Sequence, residues 1–246
     1  MSQALLNKVA IVTGAGSGIG KAIAERFLTE GAKIVVFCRT RSSLEELVAQ
    51  APARVLVAVG DVTSLADLGR LAAATTRRFC EIYVLVFSYG IARIAPIVET
   101  TEELMDEQFR VNFFGALNTF RECLPFLSQG AAVIFMTAQL TDSGFLGLGG
   151  FNASKAAVGT LASELSPRGI RVNSLAPGPT DTPMWNNTGL SKKRAEQMLA
   201  AMKKRLSAGR LASPQSVAES ALFLATDAAR NVIGQELVVD GGFSIR

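Results

Sequence analysis

Short runs of aliphatic and β-branched residues alternate along this chain with longer segments in which apolar positions recur every three or four residues. The runs fall at 8–13, 33–37, 54–59, 82–87, 131–137, 170–175 and 236–240. They are nearly continuous in Val, Ile, Leu, Ala and Phe, as strands covered on both faces require. Helices are predicted at 18–30, 41–50, 64–79, 101–127, 151–166, 191–206 and 214–226. This alternation builds βαβ units, so the predicted fold class is α/β, a doubly wound parallel sheet of seven strands flanked by helices. Gly31, Gly130 and Gly169 sit where helices hand over to strands, and a left-handed C-cap is expected at each. No repeat, low-complexity tract or linker breaks the pattern, so residues 1–246 are expected to form one domain.

Composition narrows the function classes. With 49% apolar side chains the chain can bury a large core. Its net charge of +4 is modest, and the densest basic group (Lys192, Lys193, Arg194, Lys203, Lys204, Arg205) has the pattern of a solvated helix, so no nucleic-acid partner is expected. Cys38, Cys80 and Cys123 are odd in number and form no ligand spacing, which predicts neither a disulfide framework nor a metal site. There is no histidine, so imidazole chemistry is excluded. No signal peptide is evident and no run approaches the ~20 apolar residues of a membrane helix, so a soluble, cytoplasmic protein without a membrane partner is expected.

The first strand runs straight into Thr13-Gly14-Ala15-Gly16-Ser17-Gly18-Ile19-Gly20 and then a helix. In that context Gly14 permits the tight turn, Gly18 lets backbone approach a pyrophosphate, and Gly20 allows close packing of helix on strand. The helix N-terminus then offers free N–H groups to an anion. The plainer alternative is a tight strand-to-helix turn that holds nothing.

The TGxxxGxG spacing resembles the short-chain dehydrogenase/reductase family, and the resemblance covers essentially the whole chain. Asp61-Val62 after the third strand, Asn112, Pro177-Gly178 and Val238-Val239-Asp240-Gly241-Gly242 match its later motifs in order. The resemblance implies a Rossmann fold and a nicotinamide dinucleotide held by Gly14, Ser17, Gly18, Ile19, Gly20, Asp61, Val62, Gly90, Lys155, Pro177, Gly178, Thr180 and Thr182. It also implies a homodimer or homotetramer built through the helix at 101–127 and the one that follows Phe151. At the end of the second strand Cys38 fills the slot where a free ribose 2′-hydroxyl wants an acid, and Arg39 follows it. A cation there suits a 2′-phosphate, so NADP(H) is expected in preference to NAD(H), although Ser17 is not the second basic residue often found in the glycine loop.

The chemistry departs from that pattern. The resemblance implies a tyrosine general acid, a lysine that lowers its pKa and binds the ribose, a serine on the substrate oxygen, and an asparagine supporting a relay water. Lys155 and Asn112 match; Phe151 replaces the tyrosine and Ala138 the serine. Thr137 carries a hydroxyl, but neighbouring side chains on a strand point to opposite faces. Losing a positioned acid costs ~10²–10⁴ in rate and losing an oxyanion donor ~10²–10³. Ordinary carbonyl reduction is therefore expected to be at least about three orders of magnitude slow. Phe87-Ser88-Tyr89-Gly90 follows the fourth strand, and its two rings either crowd the dinucleotide cleft or pack into the core. Tyr89 is either a displaced proton donor or a packing ring. The stretch from Lys155 to Asn173 is also about one helical turn short of the family's usual length.

Glycine-rich residues 144–150 and Met184-Trp185 are expected to wall the pocket, which suits a small apolar or aromatic substrate under a mobile lid. Three functions stay open: an NADP(H)-linked oxidoreductase with a degenerate site, a non-redox cyclase, isomerase or dehydratase, and a catalytically dead binding subunit.

Overall fold

The structure, a computed structural model, describes residues 3–41, 44–139, 145–165 and 169–245. Seven parallel strands form one sheet: β1 (Val9–Thr13), β2 (Lys33–Cys38), β3 (Val55–Val59), β4 (Ile82–Phe87), β5 (Leu127–Met136), β6 (Arg171–Pro177) and β7 (Glu236–Val239). Their order is β3-β2-β1-β4-β5-β6-β7. The chain reverses its direction of travel across the sheet between β1 and β4, where a doubly wound sheet opens a crevice at its carboxyl edge.

The helices among the described residues are α1 (Gly18–Thr29), α2 (Glu45–Gln50), α3 (Leu65–Phe79), α4 (Glu102–Phe109), α5 (Gly115–Cys123), α6 (Gly149–Leu165), α7 (Lys192–Arg205) and α8 (Pro214–Ala225). Strand alternation sorts the core into two layers. Ala10, Val12, Ile34, Val36, Val84, Val86 and Ile134 meet α1 and α8 on one face. Val9, Ile11, Val35, Phe37, Leu85, Phe87, Val133 and Phe135 meet α3, α5 and α6 on the other. Each Val, Leu, Ile or Phe among them contributes about 1.5–3 kcal/mol when fully buried, so both faces are firmly held and the carboxyl edge becomes a rigid platform.

Three expectations need correction. The helix expected over 101–127 is two helices separated by a π-helical turn, Arg110–Phe114, and it ends in a 3₁₀ turn at Leu124–Phe126, where Pro125 cannot extend the hydrogen-bond ladder. Gly130 does not cap a helix. It lies inside β5 with φ +73°, where Ile82 pairs with Leu127 but Val84 pairs with Ala132, so its left-handed backbone serves a bulge. The helix expected over 41–50 starts at Glu45, with residues 42 and 43 outside the described set. Gly31 and Gly169, with φ +87° and +75°, do adopt the left-handed conformation between helix and strand. The outer side of the π turn carries Phe113 packed edge-on against Phe114, which is 50% exposed.

No helix among the described residues is long and apolar enough to cross a membrane. None of their His, Cys, Asp and Glu residues gather in threes fit to hold a metal ion. Cys38, Cys80 and Cys123 are free thiols.

Candidate functional site

The glycine turn between β1 and α1 is built as its sequence demands. Gly14 has φ +70°, and a Cβ there would lie 2.7 Å from the Tyr89 amide nitrogen. A Cβ at Gly20 would lie 2.3 Å from the Gly14 carbonyl oxygen, so only glycine lets α1 close onto the turn. Gly18 has φ +53° and faces Thr182 across the mouth of the crevice, 3.2 Å from where a Cβ would stand. The Thr13 hydroxyl donates to Val86 O at 3.0 Å and the Gly14 amide donates to Phe37 O at 2.8 Å, which pins the turn to β4 and β2.

Four other helices satisfy their first amides with a side-chain cap, from Ser64, Thr101, Ser191 and Ser213. At α1 the N-cap Ser17 has extended backbone and no side-chain cap, and no acidic residue stands in the first turn. The amides at Gly18 and Ile19 therefore keep their donors and the positive end of the dipole.

At the neighbouring strand ends Cys38 donates its thiol to Thr40 O at 3.0 Å, and Arg39 is exposed. Asp61 accepts from the Thr63 amide at 2.8 Å and the Thr63 hydroxyl at 2.7 Å. These contacts, with Arg39 as a nearby cation, hold its carboxyl below the usual carboxylate range. Arg39 and Asp61 thus flank one crest, with Val62 next along the chain.

Lys155 and Phe151 project from the same face of α6, one turn apart. Lys155 is 5% exposed and donates to Met136 O at 2.7 Å. Burial pushes its ammonium down to about 8, and among the described residues no neighbouring charge offsets that effect. Half-buried Gly90 lies directly beside it, since a Cβ there would be 3.3 Å from Lys155 Nζ and 3.3 Å from Asn112 Oδ1. Asn112, in the π turn, clasps Ile91 at both ends: Oδ1 accepts from the Ile91 amide and Nδ2 donates to Ile91 O, each at 2.9 Å. Nδ2 also donates to Ser154 Oγ at 2.9 Å, and that hydroxyl donates to Phe151 O at 2.7 Å. With its side chain fully engaged, Asn112 offers position rather than a free amide. Ser154 was not singled out by sequence; the available signal was a serine on the buried face of a helix, which needs a partner.

Phe151 (7% exposed) and Ala138 (5% exposed) belong to an apolar cluster with Ala92, Leu148, Met202, Leu206 and Phe243. Phe145, Met184 and Trp185 pack against it, so the glycine-rich segment and the 184–185 stretch do border the site, while residues 140–144 lie outside the described set. The Thr137 hydroxyl points away and donates to Glu236 Oε1 at 2.6 Å, as strand alternation requires.

Neither aromatic ring after β4 fills the cleft. Phe87 is 2% exposed and stacks on Phe135 with centroids 4.4 Å apart. The ring edge of Tyr89 lies beside Gly115 on the α5 side, and its hydroxyl is buried. Burial raises that phenol well above its ordinary value, and of the two readings of Tyr89 the packing ring holds: it lies against the core layer of α3 and α5, with its hydroxyl buried instead of reaching solvent.

The remaining residues close the rim. Gly178 abuts Asp240, where a Cβ would be 2.7 Å from the Asp240 Cα, and its amide donates to Val239 O. Pro177 ends β6, and the Thr180 hydroxyl donates to Gly178 O at 2.9 Å. Trp185 Nε1 donates to Thr180 O at 2.8 Å, tying the pocket wall to the 177–182 loop. Arg93 binds both Glu107 oxygens and Asn187 O, and so staples the loop after Gly90 to α4 and to the wall. No sequence period marks this staple, because its partners are 14 and 94 residues away.

The chain is similar to known proteins along almost its whole length. A family profile described as enoyl-(acyl carrier protein) reductase matches residues 14–244. A 3-oxoacyl-[acyl-carrier-protein] reductase of Thermotoga maritima is 34% identical, over 98% of this chain and 99% of that protein. An NAD-dependent glycerol dehydrogenase of Listeria innocua is 33% identical, over 98% of this chain and 96% of that protein. Among solved structures, a glucose/ribitol dehydrogenase of Brucella melitensis superposes with a TM-score of 0.91 at 27% identity, over 99% of each chain.

Proposed function

This chain belongs to the short-chain dehydrogenase/reductase family, and from that premise we propose that it binds NADP(H) in the crevice above Gly14, Gly18 and Gly20 but lacks the proton donor for ordinary carbonyl reduction. The observation that carries the reading is the uncapped N-terminus of α1 over Gly14 and Gly20, where backbone leaves no room for a Cβ, and Gly18, held at φ +53°. Its amides would take the pyrophosphate. Asp61 and Val62 would border the adenine, Arg39 would meet a 2′-phosphate, and Lys155 would hold the nicotinamide ribose with Gly90 leaving room for it. Ser17, Ile19, Pro177, Gly178, Thr180 and Thr182 would complete the wall. The bound dinucleotide supplies a hydride.

Position 151 has no proton to give and position 138 no hydroxyl to hold a substrate oxygen, so the reading is a redox scaffold with a disabled acid. The substrate class that suits the cluster around Phe151 and Ala138 is small and apolar or aromatic. That same enclosure favours one alternative, a non-redox reaction in which the pocket acts by positioning.

Calorimetric titration tests the cofactor half. NADPH is expected to bind more tightly than NADH by about 1–3 kcal/mol, one charge-assisted bidentate contact. Arg39→Ala should remove most of that difference while leaving NADH affinity in place. Equal affinities in the parent, or binding of neither nucleotide, would overturn the assignment.

A further inference from the structure

We propose that Arg93 is a positioning residue whose ion pair with Glu107 latches a roof, residues 183–188, over the apolar cluster of Phe151 and Ala138. Those two side chains are 7% and 5% exposed, and Met184 and Trp185 of the roof pack against their cluster. A ligand that is to reach either position needs part of this cover to move. The roof is the part shaped to do so. It is a 3₁₀ turn, Pro183–Asn187, whose hydrogen-bond geometry is poorer than that of an α-helix. Just beyond it Gly189 has φ +84° and open space where a Cβ would stand, so the backbone can pivot there without a clash.

The roof is attached on both sides. Towards the cofactor rim, Trp185 Nε1 donates to Thr180 O at 2.8 Å. On the far side the Ile94 amide donates to Thr188 O at 2.9 Å, and Arg93 Nη1 donates to Asn187 O at 2.7 Å. Glu107 aims that guanidinium, accepting from Nε at 2.9 Å and from Nη2 at 2.7 Å. The next residue of α4, Gln108, accepts from the Arg93 amide at 3.0 Å. A planar fork held at two of its nitrogens leaves the third pointing in one direction. Through it α4 fixes the last carbonyl of the 3₁₀ turn, which the turn's own hydrogen-bond pattern leaves over. The paired side chains are 28% and 34% exposed, so water reaches the latch and it can part while the sheet stays folded.

Two variants test this. Arg93→Met keeps an unbranched apolar stem and removes the fork, whereas Glu107→Gln keeps α4 and removes the charge that aims it. Hydrogen–deuterium exchange of the nucleotide-free proteins is followed by mass spectrometry, beside acrylamide quenching of Trp185, the chain's one tryptophan. In Arg93→Met the amides of 184–189 are expected to exchange at least ~10-fold faster and Trp185 to quench at least ~2-fold more readily, with β4 and β5 unchanged. Glu107→Gln should fall between that protein and the parent, and it decides by itself should Arg93→Met not fold. Unchanged exchange at 184–189, or a rise shared equally by β4 and β5, overturns the proposal. Titration with NADPH keeps this inference apart from the cofactor reading. Faster roof exchange in a protein that binds no NADPH upholds the latch and overturns the cofactor assignment, while NADPH binding with roof exchange unchanged does the reverse.

Discussion

Phe151→Tyr combined with Ala138→Ser is expected to turn on NADPH-dependent reduction of apolar ketones, at a rate at least ~10-fold above the better single variant. Both positions sit in the same apolar cluster beside Lys155, and Lys155 already projects one helical turn from residue 151. A phenol placed there gains a neighbouring ammonium that lowers its pKa, while the new serine hydroxyl fixes the substrate oxygen that the phenol must protonate. Each group needs the other, because a donor without a positioned acceptor transfers no proton. The parent is expected to lie at least about three orders of magnitude below an intact site. Rates of NADPH oxidation against a panel of apolar ketones and diketones, for parent, both singles and the double, check this. A double variant that binds NADPH yet stays as inert as the parent would transfer the assignment to the non-redox reading.

Lys155→Met is expected to stabilise the nucleotide-free protein at neutral pH. Burial lowers the ammonium from 10.5 to about 8, with no anion among the described residues to offset it. The unfolded chain binds the proton more tightly, so the charge opposes folding by about 3 kcal/mol below pH 8. Between pH 8 and 10.5 the native state has already released the proton, so the parent gains stability as pH rises and the penalty is gone above 10.5. Methionine removes the charge but leaves Met136 O without its donor, an opposing cost of about 1–2 kcal/mol. The net gain at pH 7 is then about 1–2 kcal/mol, or ~2–8 °C in Tm for a chain of this size. The other buried titrating groups are common to both proteins and cancel in the comparison. Thermal melts of both from pH 7 to 10.5 should show the advantage of Lys155→Met shrinking and then reversing. A Lys155→Met protein less stable at pH 7, with a difference that pH does not move, would contradict this. A lysine retained against stability is the mark of a residue held for a ligand.

Much of the fold was written in local patterns. Strands buried on both faces carry continuous apolar runs, and alternation alone puts Phe87 on the same side as Leu85 and Phe135, away from the cleft. Gly14 and Gly20 were legible because backbone excludes a Cβ there, and Gly18 because its φ of +53° disfavours one. The break in the helix at Arg110–Phe114 was not, since a π turn adds one residue and barely disturbs the apolar period. Gly130 misled because a bulge and a helix cap ask the same thing of a glycine. At the site, the residue types of Lys155, Asn112 and Phe151 were plain in sequence, but their surroundings were not. The Met136 carbonyl, the bare face of Gly90 and the clasp of Asn112 on Ile91 are backbone contacts, which leave no side-chain signature.

The central claim is that this chain holds NADPH in place but cannot deliver the proton that completes reduction. One turnover tests it most directly: parent protein in excess over NADPH, mixed with an apolar diketone and followed by the loss of reduced-nicotinamide absorbance, beside the Phe151→Tyr/Ala138→Ser protein under the same conditions. The expected result is a bound cofactor that stays reduced in the parent for at least ~10³ times longer than in the double variant. Consumption of one equivalent of NADPH by the parent as quickly as by the double variant would contradict it.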